Sequence, residues 1–210
     1  MSRSTFVRRA TSALASAAVV GMLSAAPATA DPAPVAQVPD SARGAAELQA
    51  LAAEVSPAAS AAVNQILGAS VFVPKEILRL DMTTPQDFAY PSPTFGCGVA
   101  GEEATATLAS AQAGPNFLPG IGPGQLRFQA IPGYIGIPQT SGLSVAWFNL
   151  TTFQGGIVPL DDEIPVINTP LLSKIVDTGK GTVLATMYGT VGYPDSVTCT
   201  VVPTVGTFTA

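Results

Sequence analysis

The feature that most constrains the fold is an uncharged stretch at residues 142–153, which contains the chain's only tryptophan, Trp147. Leu143, Val145 and Trp147 alternate with smaller residues, and this period of two predicts a half-buried strand. At Trp147 and Phe148 both faces become large and apolar, and the alternation then changes parity, so we expect a bulge or a change of sheet there. Because a buried tryptophan dominates the core that it joins, we place the centre of the protein in this strand.

Other alternating runs lie on both sides of this strand, separated by turns rich in glycine and proline and without helical patterns between them. They cover residues 102–111, 125–130, 157–160, 164–167, 182–193 and 196–201. Many short runs of this kind are typical of a sandwich or barrel. The sequence therefore predicts a mainly β fold, an immunoglobulin-like or related antiparallel β-sandwich.

A helical pattern comes before the β region. Apolar residues recur at spacings of three and four from residue 45 onward, and Ser56 and Pro57 then provide an N-cap and a first residue for a second helix. We predict a helical hairpin that packs on the β domain as a cover. The alternative is a pair of helices that binds a partner or anchors the protein to a surface.

Residues 1–30 have the pattern of an export signal. Arg8 and Arg9 end a basic N-terminal region, an alanine-rich apolar run follows, and the small residues Ala28 and Ala30 fit a signal-peptidase site. The apolar run is too short for a stable membrane span, and no later run is long enough to cross a bilayer as a helix. We therefore expect a secreted chain without a transmembrane helix, with the general and twin-arginine export routes both open.

The chain's two cysteines, Cys97 and Cys199, both belong to the expected mature part. In an oxidising compartment a lone pair of cysteines usually forms a disulfide. A metal site or a catalytic thiol would need partner side chains, and the sequence contains no histidine. We predict a disulfide that joins the two ends of the β region.

These patterns together predict a four-part organisation. Its parts are a signal peptide at residues 1–30, a proline-rich linker at residues 31–40, a helical hairpin at residues 41–70 and a disulfide-stapled β domain at residues 71–210.

Charge and composition exclude several classes of function. Removal of the leader takes three arginines away and leaves six basic against fourteen acidic side chains, a net charge of −8. Such a chain has no electrostatic reason to bind nucleic acid or an anionic membrane surface. Without histidine a serine nucleophile lacks its usual base, and Ser173 and Lys174 are adjacent rather than spaced as a Ser–Lys pair requires. The sequence predicts no catalytic residue, no enzyme and no cofactor.

A run of carboxylates and a glycosylation sequon are weaker candidate sites. Asp161, Asp162 and Glu163 could hold Ca²⁺ through hard oxygen ligands, but they lack the alternating spacing of a calcium loop and favour a solvated turn. Asn149 begins a sequon that ends at Thr151, yet it lies in the stretch that we expect to be buried.

Two loop-like segments are strongly apolar and are the remaining candidates for binding. Loops usually face water, so apolar ones indicate contact with a lipid, a partner or the helical hairpin. The candidate surface for an apolar ligand or a partner consists of Phe117, Leu118, Ile131, Tyr134 and Ile137. The other interpretation is that these segments fold back over the open ends of the sandwich.

The alanine-rich leader, the ATADP junction at residues 28–32 and the paired cysteines resemble small exported proteins of actinobacteria that have mycolic-acid envelopes. This resemblance implies a location more than an activity. The order of Cys97, Trp147 and Cys199 is also similar to that of immunoglobulin-like sandwiches, although the spacing differs, so we keep the architecture and not the homology.

The function that we expect is that of a secreted, non-catalytic, cell-envelope-associated binding or structural module, whose partner is a lipid, a protein or another envelope component. The alternative is a carrier of an apolar, lipid-like ligand, with a cavity near Phe117, Ile131, Tyr134 and Ile137. An interior pocket lined by apolar side chains would favour the carrier, and a solidly filled core would exclude it.

Overall fold

The computed structural model describes residues 40–71, 88–98, 103–118 and 120–210. The expected signal peptide and almost all of the expected linker lie outside the described residues. So does the connection at residues 72–87, between the second helix and the first strand.

The expected helical hairpin is present. Its helices are α1 (Ser41–Val55) and α2 (Pro57–Ser70). Ser56 separates them: its backbone N–H donates to the Ala52 carbonyl at 3.2 Å, and its hydroxyl accepts from the N–H of Ala59 at 3.0 Å. One residue therefore ends α1 and caps α2, as the sequence predicted.

The rest of the described chain is mainly strand. The strands are β1 (Phe88–Phe95), β2 (Ala104–Ala113), β3 (Gln125–Pro132), β4 (Thr140–Asn149), β5 (Gly155–Pro159), β6 (Glu163–Ile164), β7 (Thr169–Pro170), β8 (Ser173–Asp177), β9 (Thr182–Gly192), β10 (Thr198–Val201) and β11 (Val205–Thr209). One antiparallel sheet has the order β5-β4-β9-β10-β1-β2-β3-β8, with β11 also paired to β9, while β6 and β7 form a separate short hairpin. The predicted mainly β fold with an N-terminal helical hairpin is confirmed.

Strand β9 is the centre of the sheet. Strand β4 pairs along one of its edges, from Thr140 opposite Gly192 to Asn149 opposite Val183. On the other edge β11 pairs with the first half of β9 and β10 with the second half. Gly189, where the pairing with β10 ends, has φ +117, and an added Cβ there would collide with the β4 backbone, so this position needs glycine.

The sheet curls so that its inner face closes on itself. Just after β5, the backbone N–H of Asp162 donates to the carbonyl of Ser173, at the start of β8, at 3.1 Å. Across the interior, the rings of Phe208 in β11 and Phe128 in β3 meet edge to face with centroids 6.1 Å apart. Parts of one sheet therefore face each other in a sandwich-like arrangement around an apolar core.

The predicted inward face of the tryptophan strand is confirmed. Leu143, Val145 and Trp147 all lie in the core, where Trp147 is only 6% exposed. They join inward residues of β9, including Val183 and Met187. This core is the main apolar cluster of the described chain.

Residues on the opposite side of β4 are apolar because the helical hairpin covers them. Ala146, Phe148 and Leu150 pack in one cluster with the buried residues of α1 and α2 and with Leu184 of β9. Neither the bulge nor the change of sheet that we expected after Asn149 is formed: β4 keeps its register with β9 to its last residue, and Leu150 continues the helix-facing side. The sequence pattern changed there because a second layer covers the strand.

The predicted disulfide between Cys97 and Cys199 is present. Cys97 follows the end of β1 and Cys199 lies in β10, with their Cα atoms 5.0 Å apart. The bond joins two strands that already pair at Thr94 and Phe95, so it reinforces a neighbouring pair of strands.

Candidate functional site

The structure divides the apolar residues chosen from the sequence between two ends of the molecule. Phe117 and Leu118 lie in the β2–β3 connection, and Tyr134 and Ile137 lie in the β3–β4 connection. These connections leave opposite ends of β3, an eight-residue strand that spans roughly 25 Å. Phe117 is 93% exposed, so it does not fold back over the core.

A continuous apolar surface does exist on the outer side of β1, β2 and β3, and we call it the apolar sheet face. Its members are Pro91, Pro93, Phe95, Ala104, Ala106, Leu108 and Ile131, all of them exposed. The register places Pro91 opposite Leu108 and Leu108 opposite Ile131, so these side chains form a row across three strands. None of the members is charged.

The apolar sheet face has a defined boundary along its strands. Further along β2 and β3 the outward positions become polar, with Ser110 opposite Gln129 and Gln112 opposite Arg127. At the other end the β3–β4 connection continues the apolar surface, because Gly133 donates its N–H to the Ala106 carbonyl at 2.9 Å. The outer face of these strands therefore has an apolar half and a polar half.

The β3–β4 connection is held against the domain by a pair of tyrosines. The rings of Tyr134 and Tyr193 lie 4.6 Å apart, and burial raises the pKa of Tyr193. Ile135 and Ile137 project from this anchored loop and are highly exposed. The loop therefore presents aliphatic side chains from a fixed position.

The β6–β7 hairpin carries a second exposed aliphatic tip, which sequence reasoning missed. Val166 is 96% exposed and has φ +87, a backbone conformation that β-branched residues rarely adopt. Ile167 beside it is also exposed. The apolar run at residues 164–167 was the available signal, but we interpreted it as one of the alternating runs of the β fold.

The carboxylate candidates are arranged around a lysine. The Nζ of Lys174 lies 2.6 Å from Oδ1 of Asp161 and 3.7 Å from Oδ1 of Asp162. The hydrogen bond to Asp161 raises the pKa of Lys174. Glu163 is exposed at the start of β6. In the described ranges no cluster of three or more potential ligand side chains is arranged to hold a metal ion, and the cation beside Asp161 and Asp162 is the ammonium of Lys174.

The adjacent Ser173 and Lys174 are engaged with different partners. The hydroxyl of Ser173 donates to Asp162 at 3.2 Å and accepts from Arg127 at 3.3 Å. The ammonium of Lys174 donates to Oδ1 of Asp161 at 2.6 Å. These polar contacts join β3, β8 and the segment after β5.

Asn149 is buried, as we expected for the sequon. Its side-chain amide donates to the carbonyls of Thr178, Gly179 and Lys180 at 2.8, 3.2 and 3.2 Å, and its Oδ1 accepts from the N–H groups of Thr151 and Thr152 at 2.7 and 3.1 Å. The nitrogen that a glycan would need is therefore already bonded inside the fold.

A cleft of about 390 Å³ opens between α1 and the β4–β5 turn. Its lining residues are Gly44, Glu47, Leu48, Leu51, Trp147, Phe153, Gln154 and Gly155. Except for the strand that carries Trp147, no sequence pattern pointed to this place, because α1 and the turn are far apart along the chain. The cleft is separate from the apolar loop residues chosen from the sequence.

Among the described residues, no helix combines the length and the hydrophobicity that crossing a bilayer requires. Comparisons with protein-family models, with curated proteins and with solved structures find no match.

Proposed function

We propose that this protein is a secreted, non-catalytic binding module that associates with the cell envelope through the apolar sheet face. The observation that carries the proposal is the uncharged row of exposed side chains across β1, β2 and β3. Contiguous exposed apolar patches are uncommon on soluble monomeric proteins, and where they occur they often mark an interaction site.

The contrast with the other side of the sheet supports this assignment. There the outward apolar residues of β4 and β9 are covered by α1 and α2. On β1, β2 and β3, Phe95, Leu108 and Ile131 have between two fifths and half of their surface exposed. Small alanines and ring-closed prolines lie between them, so this surface offers apolar contacts uninterrupted by charged side chains.

The expected location is supported by independent features of the chain. Residues 1–30 have the pattern of an export signal, and the Cys97–Cys199 disulfide is compatible with an oxidising compartment. The resemblance of the leader to exported actinobacterial proteins adds the envelope as the place of action. The net charge of −8 favours apolar over electrostatic association with that envelope.

The test compares two pairs of lysine substitutions in the mature, disulfide-bonded protein. Leu108→Lys and Ile131→Lys place charges on the apolar sheet face, whereas Ser110→Lys and Gln129→Lys place them on the polar half of the same strands. All four positions point outward, so the core is unchanged. The measurement is the fraction of protein that sediments with purified envelopes of the source organism, with thermal unfolding as a check of folding.

We expect the wild type and the Ser110 and Gln129 variants to sediment, and the Leu108 and Ile131 variants to stay in solution. If the wild type stays in solution, or if both pairs of variants behave alike, the apolar sheet face is not the binding surface.

A further inference from the structure

We propose that the cleft between α1 and the β4–β5 turn is a binding site for a small molecule with an apolar body and a hydrogen-bond-donating head group, such as a hydroxyl or an ammonium. This proposal goes beyond the envelope association and does not rest on it, because the cleft uses different residues from the apolar sheet face.

The size and the walls of the cleft suit such a molecule. A volume of about 390 Å³ falls in the range of small-molecule sites in proteins, ~300–1,000 Å³. Leu48 is nearly buried and Leu51 is partly exposed at the opening, while Trp147 borders the cleft from β4 with its side chain in the adjacent core. Phe153 adds an aromatic wall and stands beside Phe148, with ring centroids 6.5 Å apart.

Two glycines shape the cleft at its narrowest points. At Gly44 an added Cβ would overlap the carbonyl oxygen of Phe153, so α1 approaches the turn closely only with glycine at this position. At Gly155 an added Cβ would lie 2.9 Å from Cδ2 of Leu48 and 3.0 Å from Cδ2 of Phe148. Helix and turn are therefore fitted to each other around the cleft.

The position of Phe153 is a second and independent observation. This bulky residue has φ +56, a left-handed backbone conformation that is unfavourable for residues other than glycine. Its N–H donates to the Asn149 carbonyl at 2.8 Å, which fixes the turn to the end of β4. Backbone strain of this kind persists only where the surroundings enforce it, and it is concentrated at functional sites.

The polar side chains at the opening of the cleft indicate which head group the bound molecule carries. Among the described residues that line the cleft, Glu47 supplies a carboxylate, Gln154 supplies an amide, and no side chain is basic. Glu47 also bonds Arg43, with Nε to Oε1 at 2.8 Å, at the exposed rim. A hydroxyl or an ammonium can donate to these oxygens, whereas a carboxylate head group has no hydrogen to donate to either of them.

Trp147, the chain's only tryptophan, borders the cleft from β4, so its emission reports on binding there although its side chain lies in the adjacent core. Hexan-1-ol, hexylammonium and hexanoate, which have chains of equal length, are titrated into the mature protein while tryptophan emission is recorded. We expect a saturable change in emission with the alcohol and with the ammonium ion, and at least tenfold weaker binding of the carboxylate. No saturable change, or equal binding of the three probes, would overturn the proposal.

Two matched variants locate the binding. Leu51→Gln and Val55→Gln change exposed aliphatic residues one turn apart on α1, and of the two only Leu51 is a lining residue. We expect Leu51→Gln to weaken hexan-1-ol binding at least tenfold and Val55→Gln to leave it unchanged. Equal effects would place the probe elsewhere and overturn the proposal. Leu108→Lys is expected to bind the probes like the wild type, so failure of the envelope association and failure of the cleft are distinguishable.

Discussion

At the scale of single residues, Asn149 holds two separate turns together with one side chain that has no exposed surface. Its amide donates to three consecutive carbonyls between β8 and β9, and its oxygen accepts from the turn that follows β4. That second turn carries Phe153 into the wall of the cleft. The geometry of the cleft therefore depends on an asparagine that lies outside it.

Replacing Asn149 with aspartate is expected to destabilise the protein strongly. The substitution removes the donor and places an oxygen against the carbonyls of residues 178–180. We expect the free energy of unfolding at pH 7 to fall by about 2–4 kcal/mol, because a buried charge then faces unpaired acceptors. Burial would raise the pKa of the new carboxyl, so the loss should shrink as the pH falls through that raised pKa. Chemical denaturation at several pH values measures this.

Asn116→Asp is the matched control. Asn116 uses only its Oδ1 in the observed hydrogen bond, accepting from the N–H of Leu118 at 3.2 Å, and aspartate keeps that acceptor. We expect its effect to stay within about 0.5 kcal/mol at pH 7. Equal losses in the two variants would show that the donor pattern of Asn149 is not what matters.

Tyr90 makes the stability sensitive to alkaline pH. Its hydroxyl donates to the Ala185 carbonyl at 3.3 Å inside the fold, and burial raises its pKa well above the usual range. Burial also raises the pKa values of Tyr188 and Tyr193. The unfolded chain loses these protons near pH 10 while the folded protein keeps them, so the free energy of unfolding should decrease as the pH rises above about 10.

Tyr90→Phe tests this dependence. We expect about 1 kcal/mol less stability at pH 7, because the Ala185 carbonyl loses its donor, together with a shallower decrease above pH 10. Denaturation midpoints between pH 7 and pH 11.5 give both values. A decrease as steep as that of the wild type would show that Tyr90 does not titrate differently in the two states.

At the scale of elements, Ser56 is the joint of the helical hairpin, since it ends α1 and caps α2. Ser56→Ala removes the oxygen that accepts from the Ala59 N–H, and we expect the free energy of unfolding to fall by about 1 kcal/mol. Ser41→Ala is the control, because Ser41 is exposed in the first turn of α1 and Asp40 provides that cap. Thermal or chemical unfolding of both variants measures the difference.

The sequence predicted those elements whose own residues show which side is buried or where a helix begins and ends. The alternation of Leu143, Val145 and Trp147 identified the inward face of β4, and the pair Ser56 and Pro57 identified the helix junction. Strand β1 was not predicted as a strand, because prolines at positions 91 and 93 are atypical of a strand inside a sheet. They are tolerated because β10 pairs with β1 only from Thr94 onward.

The candidate surfaces were less predictable, because they arise when elements from distant parts of the chain meet. Alternation in β2 separated Ala106 and Leu108 from Thr105 and Thr107, but it did not say which side faces the core. In the structure Thr107 points inward, where its hydroxyl meets that of Thr94 at 2.8 Å, and Leu108 points outward. The apolar sheet face exists because Leu108 points outward. From residue types alone we would have placed Leu108 in the core and Thr107 on the surface.

At the scale of the whole molecule, the disulfide closes a long loop. Cys97 and Cys199 are separated by 102 residues, and the chain-entropy relation gives about 4–5 kcal/mol of stabilisation for a loop of that length. We expect Cys97→Ser combined with Cys199→Ser to lose about that free energy of unfolding. Denaturation of the variant against the oxidised wild type checks this, and alkylation of the untreated wild type should label no thiol.

The same covalent loop determines how the protein responds when it is pulled by its two ends. Strands β2 to β9 all lie between the bonded cysteines. Tension applied at the termini therefore bypasses this segment and extends only the helices, β1 and the last residues after Cys199. The segment between the two cysteines, with a contour length of roughly 350 Å, cannot be extended until the disulfide is reduced. Tension on the termini can therefore detach β1, whereas the strands from β2 to β9, which carry most of the apolar core, stay closed inside the covalent loop.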